Sequence, residues 1–307
     1  MGKTAFVFPG QGAQYPGMGK DFFEQFSEAR QVYELAGTSA GLDVKTLCFE
    51  ENDRLNITEY TQIAMLATEV AILKTAMAQG LRADVCAGLS LGEYGALAAA
   101  EVMAPVDYFR VVRKRGILMQ EAYPTGGAMT AVLGAEAELI EKVCEETEGI
   151  VSIANYNCPG QIVITGAQDA VNRASEKLTA AGAKRCVPLK VSGPFHSALL
   201  EGAGDQLSKE LAGVNLRDPA IPYVTNVNAK YVTETGPVKE LLAKQVSSHV
   251  RWQQSVELLI RDGVDTFIEI GPGKTLTGFL RKISKDVKGL NIETVEDLKR
   301  VMEEVKC

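Results

Sequence analysis

The first apolar run is short and unbroken. Ala5-Phe6-Val7-Phe8 stops at Pro9-Gly10, as expected of a strand buried on both faces. The glycine-rich stretch from Gly10 to Gly19 reads as a loop. From Thr61 to Gly80 apolar residues recur at helical spacing and end at glycine, Val85-Cys86-Ala87 reads as a brief strand, and alanine-rich Leu91 to Met103 as a helix. A further helix is expected over residues 106–120. Strand and helix alternating in this way predict an α/β unit in which helices cover a parallel sheet.

The rhythm changes after Tyr123-Pro124-Thr125-Gly126-Gly127. Strands are expected at Met129 to Leu133, Ile150 to Ala154, Ile162 to Thr165 and Lys184 to Leu189, with helices at Glu136 to Glu146 and Ala170 to Ala181. The succession β-α-β-β-α-β is that of a ferredoxin-like unit. Residues 123–190 are therefore expected to form a small subdomain inserted into a large one made of residues 1–122 and 191–307, with the chain rejoining near Val191. A cleft between the two is where a small ligand is expected. Near the C-terminus, Ile268-Glu269-Ile270 reads as a buried strand leading into a turn and a helix.

Composition narrows the classes. The 307 residues carry 32 Lys plus Arg against 39 Asp plus Glu, a net charge of -7, which is the wrong sign for tracking nucleic-acid phosphates. Six scattered cysteines (Cys48, Cys86, Cys144, Cys158, Cys186 and Cys307) form no C-x-x-C pair, and only two histidines are present. Neither a disulfide framework nor a zinc site is expected, and a reducing cytoplasm fits best. No run has the length of a membrane span or the form of a signal peptide, so no membrane association is expected.

The strongest chemical signal is Gly88-Leu89-Ser90-Leu91-Gly92, a G-x-S-x-G spacing between a strand and a helix. That setting is a nucleophile elbow. The turn is too sharp for flanking side chains, and Ser90 is left at a helix N-terminus, where the Leu91 N–H can meet an oxyanion. A serine nucleophile needs a base, and the two histidines offer His196 and His249. His196, in Gly193-Pro194-Phe195-His196-Ser197, sits at a rigid helix start, whereas His249 falls in a polar stretch that reads as a loop. In the expected helix over 106–120, Arg115 has Val111, Val112, Leu118 and Met119 at helical spacing around it. A guanidinium there needs an anion, supplied either by a distant acid or by a substrate carboxylate. Two nucleotide motifs fail: Tyr15 stands where G-x-G-x-x-G needs glycine, and Ile268 where a P-loop does, so no cofactor is expected.

Taken together, these motifs resemble the malonyl-CoA:acyl carrier protein transacylase family of bacterial fatty-acid synthesis. The match runs through FPGQGAQYPGMG from Phe8, GLSLGEY from Gly88, KRG around Arg115, N-x-N-x-P-G-Q from Asn155, GPFHS from Gly193 and EIGPGK from Glu269. The resemblance implies an α/β-hydrolase-like large domain with a ferredoxin-like insert, catalysis by Ser90 and His196, and an oxyanion hole made by the N–H groups of Gln11 and Leu91. It further implies that the backbone carbonyl of Gln245 orients His196 and that Arg115 holds the substrate carboxylate. Phe195 stands where members using unbranched malonyl carry phenylalanine. One departure is Leu89, where many members have histidine.

The activity implied by the resemblance is ping-pong malonyl transfer from malonyl-CoA to the phosphopantetheine thiol of acyl carrier protein through a malonyl-Ser90 ester, by a monomeric cytoplasmic enzyme with no metal. A local basic patch, Lys184, Arg185 and Lys190 or Lys274, Arg281, Lys282 and Lys285, would have to meet the acidic carrier. Two rivals share the serine chemistry: a free-standing acyltransferase of a polyketide pathway, and an esterase or thioesterase that would need an acid such as Asp107 or Asp169.

Overall fold

The computed structural model describes residues 2–191 and 193–306; Met1, Ser192 and Cys307, the last of the six cysteines, lie outside the described residues. Among the described residues ten strands fall into two sheets. They are β1 (Lys3–Phe8), β2 (Val85–Gly88), β3 (Gly127–Leu133), β4 (Val151–Cys158), β5 (Gln161–Ala167), β6 (Arg185–Pro188), β7 (Tyr223–Val224), β8 (Tyr231–Val232), β9 (Val264–Ile270) and β10 (Lys288–Ile292).

The larger sheet has the order β10-β9-β1-β2-β7-β8. Its strands are parallel except at the edge, where β8 pairs antiparallel with β7. The exception has a local cause: the turn between β7 and β8 closes through Thr225 N–H to Lys230 O and Ala229 N–H to Thr225 O, and so short a connection can only make a hairpin. β1 lies in the middle, and its Ala5 to Phe8 run is buried throughout, as its unbroken apolar sequence predicts. The helix Thr58–Ala78 is buried on nearly every side, because it packs between the sheet region and the helices Ser27–Ala40 and Pro105–Ala122.

The smaller sheet has the order β4-β5-β3-β6 and is antiparallel throughout. The helices Ala137–Glu145 and Gln168–Ala180 cover one face, burying Val132, Ile140, Ile164, Val171 and Leu178 between them. Met129, Ala131 and Val163 point the other way and join the main core.

Two elements differ from expectation. The alanine-rich helix spans Gly92–Ala99 and does not reach Met103. Glu101 takes a left-handed backbone (φ 57) and Val102 N–H bonds to Leu97 O, a 6→1 helix stop that alanine content does not reveal. β4 continues past Ala154 to Cys158, with register shifts at Ile153/Asn155 and Tyr156/Cys158. Its outer edge is held by the segment at Val250, through Val250 N–H to Ala154 O and Tyr156 N–H to Val250 O. This extension carries Asn155 and Asn157 into a strand that borders the cleft.

Candidate active site

Open α/β sheets bind ligands beyond the carboxyl ends of their strands, and the cleft lies there, past the ends of β1 and β2. β2 stops at Gly88, and the helix Gly92–Ala99 begins four residues on. Both elbow glycines are dictated by space. A Cβ at Gly88 would sit 1.9 Å from Gly92 O, and one at Gly92 would sit 2.1 Å from Phe8 O. Between them Ser90 is held at φ 54, a left-handed conformation that a serine adopts only when its surroundings impose it.

The Ser90 hydroxyl lies 2.7 Å from His196 Nε2, and His196 Nδ1 lies 2.8 Å from the main-chain oxygen of Gln245. A carbonyl only accepts, so Nδ1 carries the proton and Nε2 is left to accept from the serine. His196 is also at positive φ (61), anchored by its N–H to Val246 O. Burial, followed by the nearby Arg115 cation, lowers its pKa from 6.5 to about 4. The imidazole is therefore neutral, in its basic form, at neutral pH. His249 takes the other role expected of it, bonding the Ile153 carbonyl away from the serine.

Arg115 comes from the helix Pro105–Ala122 and is 1% exposed. Its neighbours Arg110, Arg113 and Lys114 pair with Asp107, Glu59 and Glu210, but among the described residues Arg115 makes no ion pair. Its Nη1 donates to Gln62 Oε1 at 2.6 Å and its Nη2 to Gln245 Oε1 at 2.9 Å, while Nη2 also approaches Ser90 Oγ at 3.4 Å. Among the described residues Nε finds no partner, and the Tyr94 ring lies 5.6 Å from the guanidinium carbon. Burial pulls the guanidinium pKa down, opposed by Tyr94 and Glu93. Neutral amides thus aim the cation at the serine without cancelling its charge.

A cavity of about 210 Å³ joins these groups. On one side it is lined by Gln11, Ser90, Leu91, Arg115 and His196, and on the other by Met129, Asn155, Asn157, Val163 and Leu189. Phe195 and Leu89 line it as well. Strands of the smaller sheet on one side, and the loops and helices beyond the larger sheet on the other, therefore wall the cleft. Gln11 is steadied by its side-chain amide, which donates to Thr58 Oγ1 at 3.1 Å. Of the basic residues considered for docking, none lines this cavity.

Three participants were not singled out by the sequence: Gln62, Glu93 and Asn226. Gln62 had no distinguishing signal, since the same helix also buries Thr58, Thr61, Thr68, Glu69 and Thr75. Glu93 sits within the elbow motif but is fully buried, and burial raises its pKa from 4.5 to about 7 against the bonds from Asn226 and Gln245. Asn226 had no signal, since it follows a two-residue strand in a turn. Among the described residues no group of three or more His, Cys, Asp or Glu is placed to hold a metal ion, and no helix is long and apolar enough to cross a membrane.

Comparison with known proteins matches residues 5–303 to the acyl transferase domain family. A protein of Bacillus subtilis (strain 168) named malonyl CoA-acyl carrier protein transacylase is 42% identical over 311 residues, covering 100% of this chain and 98% of that one. A crystal structure of the transacylase of the same name from Clostridium perfringens superimposes with a TM-score of 0.95 at 40% identity, covering 99% of this chain and 97% of that one. A malonyl-transacylase solved in complex with a type II PKS acyl-carrier protein gives a TM-score of 0.96 at 39% identity, over 98% of this chain and 99% of that one.

Proposed function

This chain belongs to the acyl transferase domain family, and from that premise we propose that it moves a malonyl group from coenzyme A to the phosphopantetheine thiol of acyl carrier protein, in fatty-acid synthesis. The observation that carries the reading is an unneutralised, buried guanidinium 3.4 Å from a serine that is itself 2.7 Å from a neutral imidazole. An esterase has no use for that cation. Asp107, one acid such an enzyme would need, is engaged with Arg110 at 2.9 Å.

His196 Nε2 takes the Ser90 proton as Oγ attacks the malonyl thioester carbon. The developing oxyanion is met by the N–H groups of Gln11 and Leu91, the latter at the N-cap of the helix that follows the elbow. The C–S bond breaks, coenzyme A leaves with the proton held by His196, and a malonyl-Ser90 ester remains. The carrier thiol then gives its proton to His196 and attacks the ester, and Ser90 recovers its proton as it leaves. Gln245 orients His196 through its main-chain oxygen, and Arg115 clamps the malonyl carboxylate. Every group in this scheme comes from one chain, so the chemistry needs no second copy, and we read the enzyme as a monomer. The absence of a membrane-crossing helix among the described residues fits a cytoplasmic enzyme.

The larger sheet with its helices reads as an α/β-hydrolase-like domain of residues 1–122 and 191–307. Residues 123–190 read as a ferredoxin-like insert, which the βαββαβ succession and the order β6-β3-β5-β4 support.

Incubation with malonyl-CoA should add one malonyl mass to the peptide holding Ser90, and holo acyl carrier protein should then remove it. An adduct that persists in Ser90→Ala, or none in the wild type, would overturn the reading.

A further inference from the structure

Behind the reacting groups lies a buried polar cluster, two of whose members, Asn226 and Glu93, the transfer scheme leaves without a role. Asn226 is fully buried, and its carboxamide spans the elbow from the inside. Nδ2 donates to Gly88 O at 2.6 Å, and Oδ1 accepts from Ser90 N–H at 2.6 Å. One side chain thus grips the backbone on both sides of Leu89. Asn226 is in turn held by its own N–H, which donates to Glu93 Oε2 at 3.1 Å, and by its carbonyl, which accepts from Arg251 N–H at 3.0 Å. The same Glu93 oxygen accepts from Gln245 Nε2 at 2.7 Å, and Gln245 Nε2 also meets Ser90 O at 2.9 Å.

The arrangement answers a physical need. Ser90 is held in a left-handed conformation, so some other interaction must hold it there. The Ser90 N–H points at Asn226, and without the carboxamide this part-buried donor and the buried Gly88 O would both be left unpaired. Turning the elbow to repair them would move Oγ off His196 Nε2. A misplacement of about 1 Å at a reacting atom costs on the order of 100-fold in rate.

We infer that Asn226 is a positioning residue for acyl transfer: its carboxamide clasps the nucleophile elbow and keeps the Ser90 hydroxyl aligned with His196. The inference rests on the reading that Ser90 carries the acyl group.

The test compares wild type, Asn226→Ala and Asn226→Asp by rapid-quench intact-mass measurement of malonyl-Ser90 formation from malonyl-CoA, with circular dichroism as a check on folding. Asn226→Ala should acylate about 30- to 100-fold more slowly, with the malonyl-CoA concentration at half-maximal rate within about twofold of wild type. Asn226→Asp supplies a signature that loss of packing would not. A protonated carboxyl offers the same acceptor and donor pair as the amide, whereas a carboxylate opposes Gly88 O. Among the described residues, the ionisable groups around this position include Glu93, Tyr94, Cys86, Arg115, His196, Tyr223 and Arg251. They are common to both proteins, so the Asp variant is read as a ratio to wild type at each pH. That ratio should rise about tenfold or more from pH 8 to pH 5.5.

A folded Asn226→Ala that acylates within threefold of wild type overturns the inference, as does a slow variant whose whole loss lies in substrate affinity. If Asn226→Ala does not fold, a pH-independent ratio for Asn226→Asp overturns it. Absence of any adduct in wild type would instead break the transfer reading itself.

Discussion

The floor of the cleft and the helix-covered face of the smaller sheet solve opposite problems. The floor buries Arg115, Glu93, Asn226, Gln245 and His196, and two of its site residues, Ser90 and His196, sit at positive φ. The smaller sheet buries Val132, Ile140, Ile164 and Leu178 in a plain aliphatic core, and offers the cleft only its far face. Buried polar groups are costly unless fully bonded, so the floor is specified by geometry, whereas the small core is specified by volume. Damage to the first should therefore appear as lost chemistry, and damage to the second as lost stability.

The sharpest form of that contrast is His196→Ala. Removing the base should lower malonyl transfer on the order of 10⁴-fold or more in a protein whose melting temperature barely moves, measured as steady-state transfer to carrier protein. Ile164→Ala should do the reverse. Ile164 is fully buried under the two helices, and its neighbour Val163 faces the cavity. Truncation should cost about 2–5 kcal/mol in chemical denaturation while kcat at 25 °C stays within about twofold. A large kcat loss there would mean that the two regions are coupled and the contrast is false.

How much of this could be read from the chain obeys the same division. The runs that carry apolar pattern were legible: β1, the helices about 58–78 and 105–122, and the alternation in the small sheet. Arg115 was legible because a cation inside an apolar stripe contradicts its surroundings. Ser90 was legible because its G-x-S-x-G spacing falls between a strand and a helix, although only Gly88 is forced by a near neighbour, Gly92 O, and Gly92 is forced by the distant Phe8 O. What escaped depends on pairings far apart in sequence. Asn226 meets Ser90 across 136 positions, and nothing local marks it. Glu93 is by position a first-turn acid, which sequence alone does not mark as buried, and the helix stop at Glu101 is a backbone event with no glycine to announce it.

Arg115→Ala tests the floor at its edge. The side chain contributes charge to the substrate and bonds to Gln62 and Gln245. Loss of a charged, hydrogen-bonded pair is worth about 1.5 to 3 kcal/mol, so malonyl transfer should fall roughly tenfold to a hundredfold while acetyl transfer holds or rises. Equal loss of both would assign Arg115 to structure alone. Arg115→Lys keeps the charge but not the planar fork, and should recover only part of the selectivity.

The smallest effect separates chemistry from stability by pH. His196 is depressed from 6.5 to about 4, so an unfolded chain binds its proton first, and stability from this group is lost as pH falls from 6.5 toward 4. Glu93 is raised from 4.5 to about 7, so the fold keeps its proton longer, and stability from this group is lost as pH rises through that window. The two slopes oppose each other between pH 4.5 and 6.5, and the pair leaves stability nearly level there. Acylation has no such compensation, because only neutral His196 can take the serine proton. At pH 5.5 a histidine of pKa 6.5 would be about nine-tenths protonated, and one near 4 almost wholly free, a difference of about tenfold in rate. Single-turnover acylation should therefore stay near its plateau at pH 5.5 and fall only toward pH 4. A limb centred at 6.5 would mean that the imidazole is wetter than its burial beside Arg115 requires.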